Sequence, residues 1–382
     1  MIRSTHAEID LTALRHNFMQ VRKRVGQSCQ VMAVVKADAY GHGVAGVAPA
    51  LAAAGVDQYA VAMVSEGVEL RSLGIRQPIV ILGGAFAGEE LQVVSHDLHP
   101  VIFELEGARR LDHAGKQAGK VVEFHLKLDT GMGRLGFTAE HLDEALSTLG
   151  SLRNLRMIGV LSHLAVADEP QQTLTETQIS LFHQLAAKVE AAGNRLHFRH
   201  IANSAAIYSR DLAGCNLVRP GIALYGGLTG ETATDRVDQR SVMRLVSSVA
   251  QLKEVAAGSG ISYGHRFIAQ RPSRIAAVPV GYADGYNRLL SNCGEMLIGG
   301  RRARVAGTVC MDWTLVDVTD LPNVKVGDQV TLLGQDGEDA ITAEEWADKV
   351  GSITYELFCN ISKRVPRVYV GERRVVGAKS PG

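Results

Sequence analysis

Between residues 31 and 220 the chain runs through one pattern eight times. Each is a short, nearly continuous apolar run, and all but the last are followed by a stretch with helical spacing. The runs are VMAVV (31–35), YAVA (59–62), PIVIL (78–82), HPVIF (99–103), VVEFHLKL (121–128), MIGVLSH (157–163), LHFRHI (196–201) and NLVRP (216–220). Runs that are apolar throughout suit parallel strands buried on both faces. Eight βα units in this length predict an α/β fold, the (β/α)8 TIM barrel, which takes about 250 residues. A doubly wound open sheet is the alternative, but no G-x-G-x-x-G follows the first run to support it. Ahead of the runs, Asp10 reads as the N-cap of a helix with Leu11, Leu14, Phe18, Val21 and Val25 at helical spacing.

The pattern changes near Arg240. RIAAVPVGY, RARVAGTVC, WTLVDV, DQVTLL and RVYVG alternate with glycine-rich turns, which predicts a mostly antiparallel β domain interrupted by one helix from Thr342 to about Val350. The expected division is therefore a barrel over 1–239 and a β domain over 240–382. Lysine plus arginine and aspartate plus glutamate balance at 40 each, so no net charge points to a nucleic-acid or membrane surface. The five cysteines have neither C-x-x-C nor zinc spacing, which predicts no metal site and a reducing compartment. MIRSTHAEIDL has no apolar signal region, and no apolar stretch is long enough to span a bilayer, so the expected location is the cytoplasm.

Barrels of this kind carry their chemistry at the C-terminal ends of the strands. Lys36 follows the first run, and Lys127 lies near the end of the fifth. Arg134 comes in the loop TGMGRLG, and His163 ends the sixth run. Asn203 and Ser204 follow the seventh, while Arg219 ends the eighth, just before Gly221 and Ile222. Any one of these could be a solvated strand end. Together they make a positive rim suited to an anionic ligand. A serine hydroxyl and a glycine after the last two strands suit a phosphate. A strand-end lysine beside a phosphate site suggests pyridoxal phosphate (PLP), whose aldehyde needs an unprotonated amine; burial and nearby cations favour that state. These residues alone do not separate PLP from a sugar phosphate.

AVVKADAYGHG (33–43) resembles the PLP-lysine motif of the alanine racemases. The resemblance extends along essentially the whole chain through LKLDTGMGRLG (126–136), HIANSAA (200–206), VRPGIALYG (218–226), ISYG (261–264), GYADGY (281–286) and CMD (310–312). It implies a PLP-dependent isomerase that interconverts L- and D-alanine and supplies D-alanine for the peptidoglycan of the cell wall. It also implies a head-to-tail homodimer, each active site combining one subunit's barrel with the other's β domain. Lys36 would form the Schiff base and act as one base; Tyr263, from the other subunit, would be the second, on the opposite face. Tyr40, Asn203, Ser204, Gly221, Ile222 and Tyr355 would hold the cofactor, the phosphate above all. Arg134 would contact the cofactor's phenolic oxygen and the substrate carboxylate, with help from the Met311 backbone. Lys127 would be carbamylated and orient Arg134. His163 would link Arg219 to Tyr263, and Arg219 would donate to the pyridine nitrogen without protonating it. Asp168, Tyr282 and Arg288 would line an access channel, and His42 would be a turn residue.

The chain departs from the family pattern at two places that bear on the channel. Thr308 stands where many members carry arginine, and Trp313 replaces a commoner polar residue after CMD. Two rival readings share the barrel: a PLP-dependent decarboxylase and a PLP-carrier protein. TGMGRLG and ISYG argue against the first, and a β domain bearing Tyr263 argues against the second.

Overall fold

The computed structural model describes residues 3–169, 173–211, 214–227 and 237–371. It divides into two compact units: Arg15–Gln239, and Met1–Leu14 with Arg240–Gly382. Residues 1–2 and 372–382 of the expected domains lie outside the described residues.

Strand β1 (His6–Asp10) opens the chain and belongs to the second unit. The first unit contains β2 (Gln30–Val34), β3 (Gln58–Val61), β4 (Ile79–Ile81), β5 (His99–Ile102), β6 (Val122–Lys127), β7 (Leu155–Leu161), β8 (Phe198–His200) and β9 (Leu217–Val218). All eight expected runs are strands. They pair in parallel from β2 through to β8, and β9 pairs with β2, giving a nearly closed barrel. The gap between β8 and β9 is bridged where Asn216 N–H donates to the Arg199 carbonyl (3.2 Å) and Arg219 N–H to the Ala202 carbonyl (3.0 Å). Every residue from Val31 to Val34 is buried, as a strand covered on both faces requires.

The helices cover the outside of this sheet, and Leu105–Ala118 shows how the sequence sets one up. The Glu104 carboxylate accepts the backbone N–H groups of Glu106 and Gly107; Ala108, Leu111 and Ala114 face inward; Gly119 ends the helix at φ 63°. Each strand end is thereby held on a packed scaffold, and the loops beyond it can carry chemistry.

In the second unit, β10 (Met243–Ser248), β11 (Gln251–Val255), β14 (Ser273–Val278), β15 (Glu295–Ile298), β16 (Arg301–Val305), β17 (Thr314–Asp317), β18 (Gln329–Asp336), β19 (Asp339–Ile341) and β20 (Arg367–Val370) join β1 in one sheet. All its pairings are antiparallel except β1 with β20. A separate hairpin, β12 (Gly260–Ile261) and β13 (Phe267–Ile268), carries Tyr263 in its turn.

Two expectations need correction. The barrel does not begin at residue 1, because β1 pairs with β10 and β20 and so binds the N-terminus into the β unit. Its five residues bury Ala7 and Ile9 alternately, a signal too short to stand out before the helix Leu11–Val25. Asp10 does cap that helix, its Oδ1 accepting the N–H groups of Thr12 and Ala13. The β unit also contains a second helix, Thr354–Asn360, beyond the expected one at Ala343–Val350. Leu357 and Phe358 are its buried residues of any size, too few to reveal a helical period. Among the described residues no helix is long and apolar enough to cross a membrane.

Gly159 in β7 couples this packing to the barrel interior. A Cβ there would lie 2.5 Å from His125 Nδ1 and 2.9 Å from the Phe198 carbonyl oxygen. Gly159→Ala should therefore lower stability by about 1–3 kcal/mol, through overpacking alone. Urea unfolding checks this, and an unchanged midpoint would refute it.

Candidate active site

The residues after β2 adopt a rare conformation. Ala37, Asp38, Ala39 and Tyr40 all have φ between 52° and 54°, forming a left-handed turn. Each non-glycine residue there costs about 1–2 kcal/mol, so the surroundings must hold the turn in place. Glu66 Oε1 accepts the Ala37 N–H at 2.6 Å, and Asp38 Oδ1 accepts the Val44 N–H at 2.6 Å. Gly41 N–H and Gly43 N–H donate to the carbonyls of Ala37 and Asp38. His42, fully buried, donates from Nδ1 to the Tyr40 carbonyl (2.9 Å) and stacks on Tyr225. This turn starts at Lys36 and ends at Tyr40, so it fixes the backbone that carries both side chains.

Tyr40 stacks on Tyr225 with ring centroids 5.0 Å apart and points its hydroxyl at Gly221. A Cβ on Gly221 would sit 2.4 Å from Tyr40 Oη, so only glycine leaves this space open. Ser204 Oγ, also buried, accepts the backbone N–H groups of Gly221 (2.9 Å) and Ala223 (3.2 Å). With both lone pairs engaged, the serine's own proton is left to donate. Two hydroxyls around an open glycine make a cradle of donors, the chemistry a phosphate needs. Ile222 follows directly and is buried. Asn203 accepts the Ala206 N–H through its side chain and caps the helix Ser204–Ser209.

Arg219 is buried at the end of β9, 5% exposed. Its Nη1 donates to the His200 carbonyl (2.7 Å) and to His200 Nδ1 (3.1 Å). Its Nη2 donates to the Ser162 carbonyl (2.6 Å) and lies 3.4 Å from His163 Nδ1. Burial pulls its pKa down to about 10, which still leaves it protonated at neutral pH. Burial and the Arg219 charge drive His163 down to about 2, so it is neutral.

The fixed proton on Arg219 dictates tautomers deeper in the barrel. A guanidinium only donates, so His200 Nδ1 must accept and its proton must sit on Nε2. His200 Nε2 lies 3.0 Å from His125 Nδ1, which therefore accepts in turn and leaves the His125 proton on Nε2. Burial holds His125 at about 3 and His200 well below its ordinary value.

Lys127 ends β6 and is buried to 9% exposure. Desolvation, then the charges of Arg219 and Arg134, lower its pKa to about 7, so near neutrality half of it is an uncharged amine. The loop beyond it is pinned at its base, where Phe137 N–H donates to the Lys127 carbonyl and Asp129 N–H to the Phe137 carbonyl, both at 2.9 Å. Asp129 Oδ1 also accepts the N–H groups of Gly131, Met132 and Gly133. Arg134 stands exposed on this closed loop, and so does Asp168 beyond β7.

The remaining expected residues belong to the β unit. Tyr263, Met311, Tyr282, Arg288 and Tyr355 are all exposed there. Tyr282 N–H donates to the Cys310 carbonyl and Ala283 N–H to the Met311 carbonyl, so GYADGY and CMD lie against each other. Tyr355 stands on the second helix, Thr354–Asn360.

Two family models match this chain: the alanine racemase N-terminal domain over residues 9–229 and the alanine racemase C-terminal domain over 242–369. The chain belongs to the alanine racemase family. It is accordingly an amino-acid racemase, an isomerase. The chain is 50% identical over 376 residues to the alanine racemase of Geobacter sp. (strain M21), covering 97% of this chain and 99% of that one. The Geobacter sulfurreducens alanine racemase is 47% identical, with 96% and 97% covered. Among solved structures, the alanine racemase of Streptomyces lavendulae superposes with a TM-score of 0.93 at 35% identity, covering 98% of each chain.

Within this alanine racemase fold, several residues shape the site without having been expected from sequence. Glu66 holds the left-handed turn, and Tyr225 backs it. His125 and His200 carry the tautomer chain. His125 could have been found, since a strand places residues two apart on one side and Lys127 shares its side. Glu66 gives no such signal, because its partner is 29 residues away in sequence.

Nitrogen NMR of the histidine rings checks the tautomer assignment. His125 and His200 should both show protonated Nε2 and bare Nδ1, with no titration over the range in which the protein stays folded. A titration near neutrality, or a proton on Nδ1 of either ring, would contradict it.

Proposed function

We propose that this chain interconverts L- and D-alanine with PLP as cofactor, using Lys36 and Tyr263 as opposed bases. The observation that carries the proposal is the left-handed turn directly after Lys36, which sets the Tyr40 phenol beside the Ser204–Gly221 cradle. PLP dependence is implied by the family, and the residues present fit the group. Tyr40, Ser204 and the backbone at Gly221 and Ile222 would hold its phosphate, with Tyr355 and Asn203 as the family's further contacts. Arg219 would face the pyridine nitrogen. Among the described residues its Nε has no partner, so that donor remains for a ligand. Bound there, PLP would draw electron density from the substrate's Cα and so acidify its proton.

The chain's own residues would do the rest. Lys36 would attach the cofactor and move the proton at Cα on one face, and Tyr263 from a second copy would move it on the other. Inversion requires donors on both sides. Arg134 and the Met311 backbone would bind the substrate carboxylate, and Lys127 would orient Arg134. His163, neutral, would pass the influence of Arg219 to Tyr263. Asp168, Tyr282 and Arg288 would line the approach. A homodimer is supported by the exposure of Tyr263 (74%), Met311 (53%) and Trp313 (45%) on the β unit, an apolar surface of the kind that partners cover. We place the enzyme in the cytoplasm, where its D-alanine would feed peptidoglycan synthesis.

An alanine racemisation assay with and without added PLP tests the reading. Activity should need the cofactor, and Lys36→Ala should lose both activity and the visible absorbance of bound cofactor. Racemisation by protein stripped of PLP would overturn it.

Lys127 offers a second check. An uncharged amine adds CO2 to give a carbamate and a proton, which converts a cation into an anion beside Arg134. Because its pKa is lowered to about 7, the amine becomes available as pH rises through that value. The carbamate signal from 13C-labelled CO2 should therefore grow through about pH 7 and vanish in Lys127→Ala. A signal that persists in that variant would assign the carbamate elsewhere.

A further inference from the structure

Tyr263 is 74% exposed, so few side-chain contacts locate its ring, and its backbone must do so. That backbone is strained. Ser262 (φ 64°, ψ −173°) and His265 (φ 46°) are non-glycine residues at positive φ, with Gly264 (φ 70°) between them in one short turn. Two hydrogen bonds join this turn to the segment before CMD. Thr308 Oγ1 donates to the Tyr263 carbonyl at 2.9 Å, and Ser262 Oγ donates to the Thr308 carbonyl at 2.5 Å. Ser262 Oγ also lies 3.4 Å from Cys310 Sγ.

Thr308 is fit to act as a fixed post. It is 3% exposed, and its neighbours are anchored on both sides. Gly307 N–H donates to Asn292 Oδ1 (2.6 Å), and Val309 N–H donates to Ser291 Oγ (3.0 Å). Gly307 itself has φ 89°, and a Cβ there would lie 2.6 Å from the Ile261 carbonyl oxygen and 2.8 Å from Ser262 Cβ. The two segments thus touch backbone to backbone, with the Thr308 hydroxyl as the bond that reaches Tyr263 itself.

We propose that Thr308 is a positioning residue: through its hydroxyl it fixes the backbone of Tyr263 and so the placement of the phenol as a base. The inference rests on the reading of Tyr263 as one of two bases.

The test uses the holoenzyme in heavy water with D-alanine. On that reading Lys36 would exchange the α-proton of D-alanine from its own face, whereas inversion would also need Tyr263. The ratio of α-deuterium uptake in unconverted D-alanine to inversion therefore reports Tyr263 placement. Thr308→Val should raise that ratio about tenfold, the effect of losing roughly 1.4 kcal/mol at the inverting step. Thr308→Ser should restore it to within about twofold, since the donor is kept. A second readout is independent of activity: amide hydrogen exchange across residues 258–268 should speed up in Thr308→Val and not in Thr308→Ser. An unchanged ratio in Thr308→Val, alongside a raised ratio in Tyr263→Phe, would overturn the positioning role while leaving the two-base reading intact. An unchanged ratio in Tyr263→Phe would instead sink the two-base reading. Should Thr308→Val not fold, Thr308→Ala also removes the hydroxyl that reaches the Tyr263 carbonyl and must raise both the ratio and the amide exchange; wild-type values there would equally overturn the proposal.

Discussion

A guanidinium buried in the end of an apolar barrel sets the direction of the hydrogen bonds around it. Arg219 keeps its proton despite burial, and five backbone and side-chain acceptors hold it in one orientation. Its charge contributes to the lowered pKa of Lys127, His125, His163 and His200. Desolvation is the larger cause in each case, yet the two act in the same direction: both disfavour a second positive charge. The result is a pocket in which the histidines beside a permanent cation stay neutral and Lys127 is only half charged near neutrality. Such a pocket can order its hydrogen bonds in only one sense, outward from the guanidinium. The tautomers of His200 and His125 follow from that single fact.

The left-handed turn at Ala37–Tyr40 shows the complementary principle, that strain persists only where the surroundings over-determine it. Four non-glycine residues in this region would not hold their shape in isolation. Two carboxylates, Glu66 and Asp38, accept backbone N–H groups at its two ends, and the buried His42–Tyr225 stack closes it from below. The short arc brings the Tyr40 phenol toward the glycine-lined cradle. The turn around Tyr263 repeats the strategy in the β unit, with Thr308 and Ser262 in place of the carboxylates.

The barrel was legible because its signal is local and repeated. Buried parallel strands must be apolar on both faces, so VMAVV and MIGVLSH declare themselves without reference to anything distant. The cationic rim was legible for the same reason: Lys36, Lys127, Arg134, His163 and Arg219 are found by counting to the ends of strands. β1 was not, since five residues of alternating burial become a strand only by pairing with β10 and β20, more than two hundred residues later. The helix Thr354–Asn360, which carries Tyr355, was hidden by its shortness.

The sequence by itself determined the family, the eightfold alternation and the identity of the polar residues at the strand ends, because each is written in contiguous residues. It could not determine protonation. Whether Lys127 is a charged or a neutral amine depends on how much water reaches it and on where Arg219 and Arg134 stand, and neither is a property of neighbouring residues in the chain. Nor could it reveal that Thr308 reaches back to Tyr263 across 45 positions, or that Glu66 holds the turn after Lys36. Hydrogen bonds and electric fields act through space, and only the folded chain sets those distances.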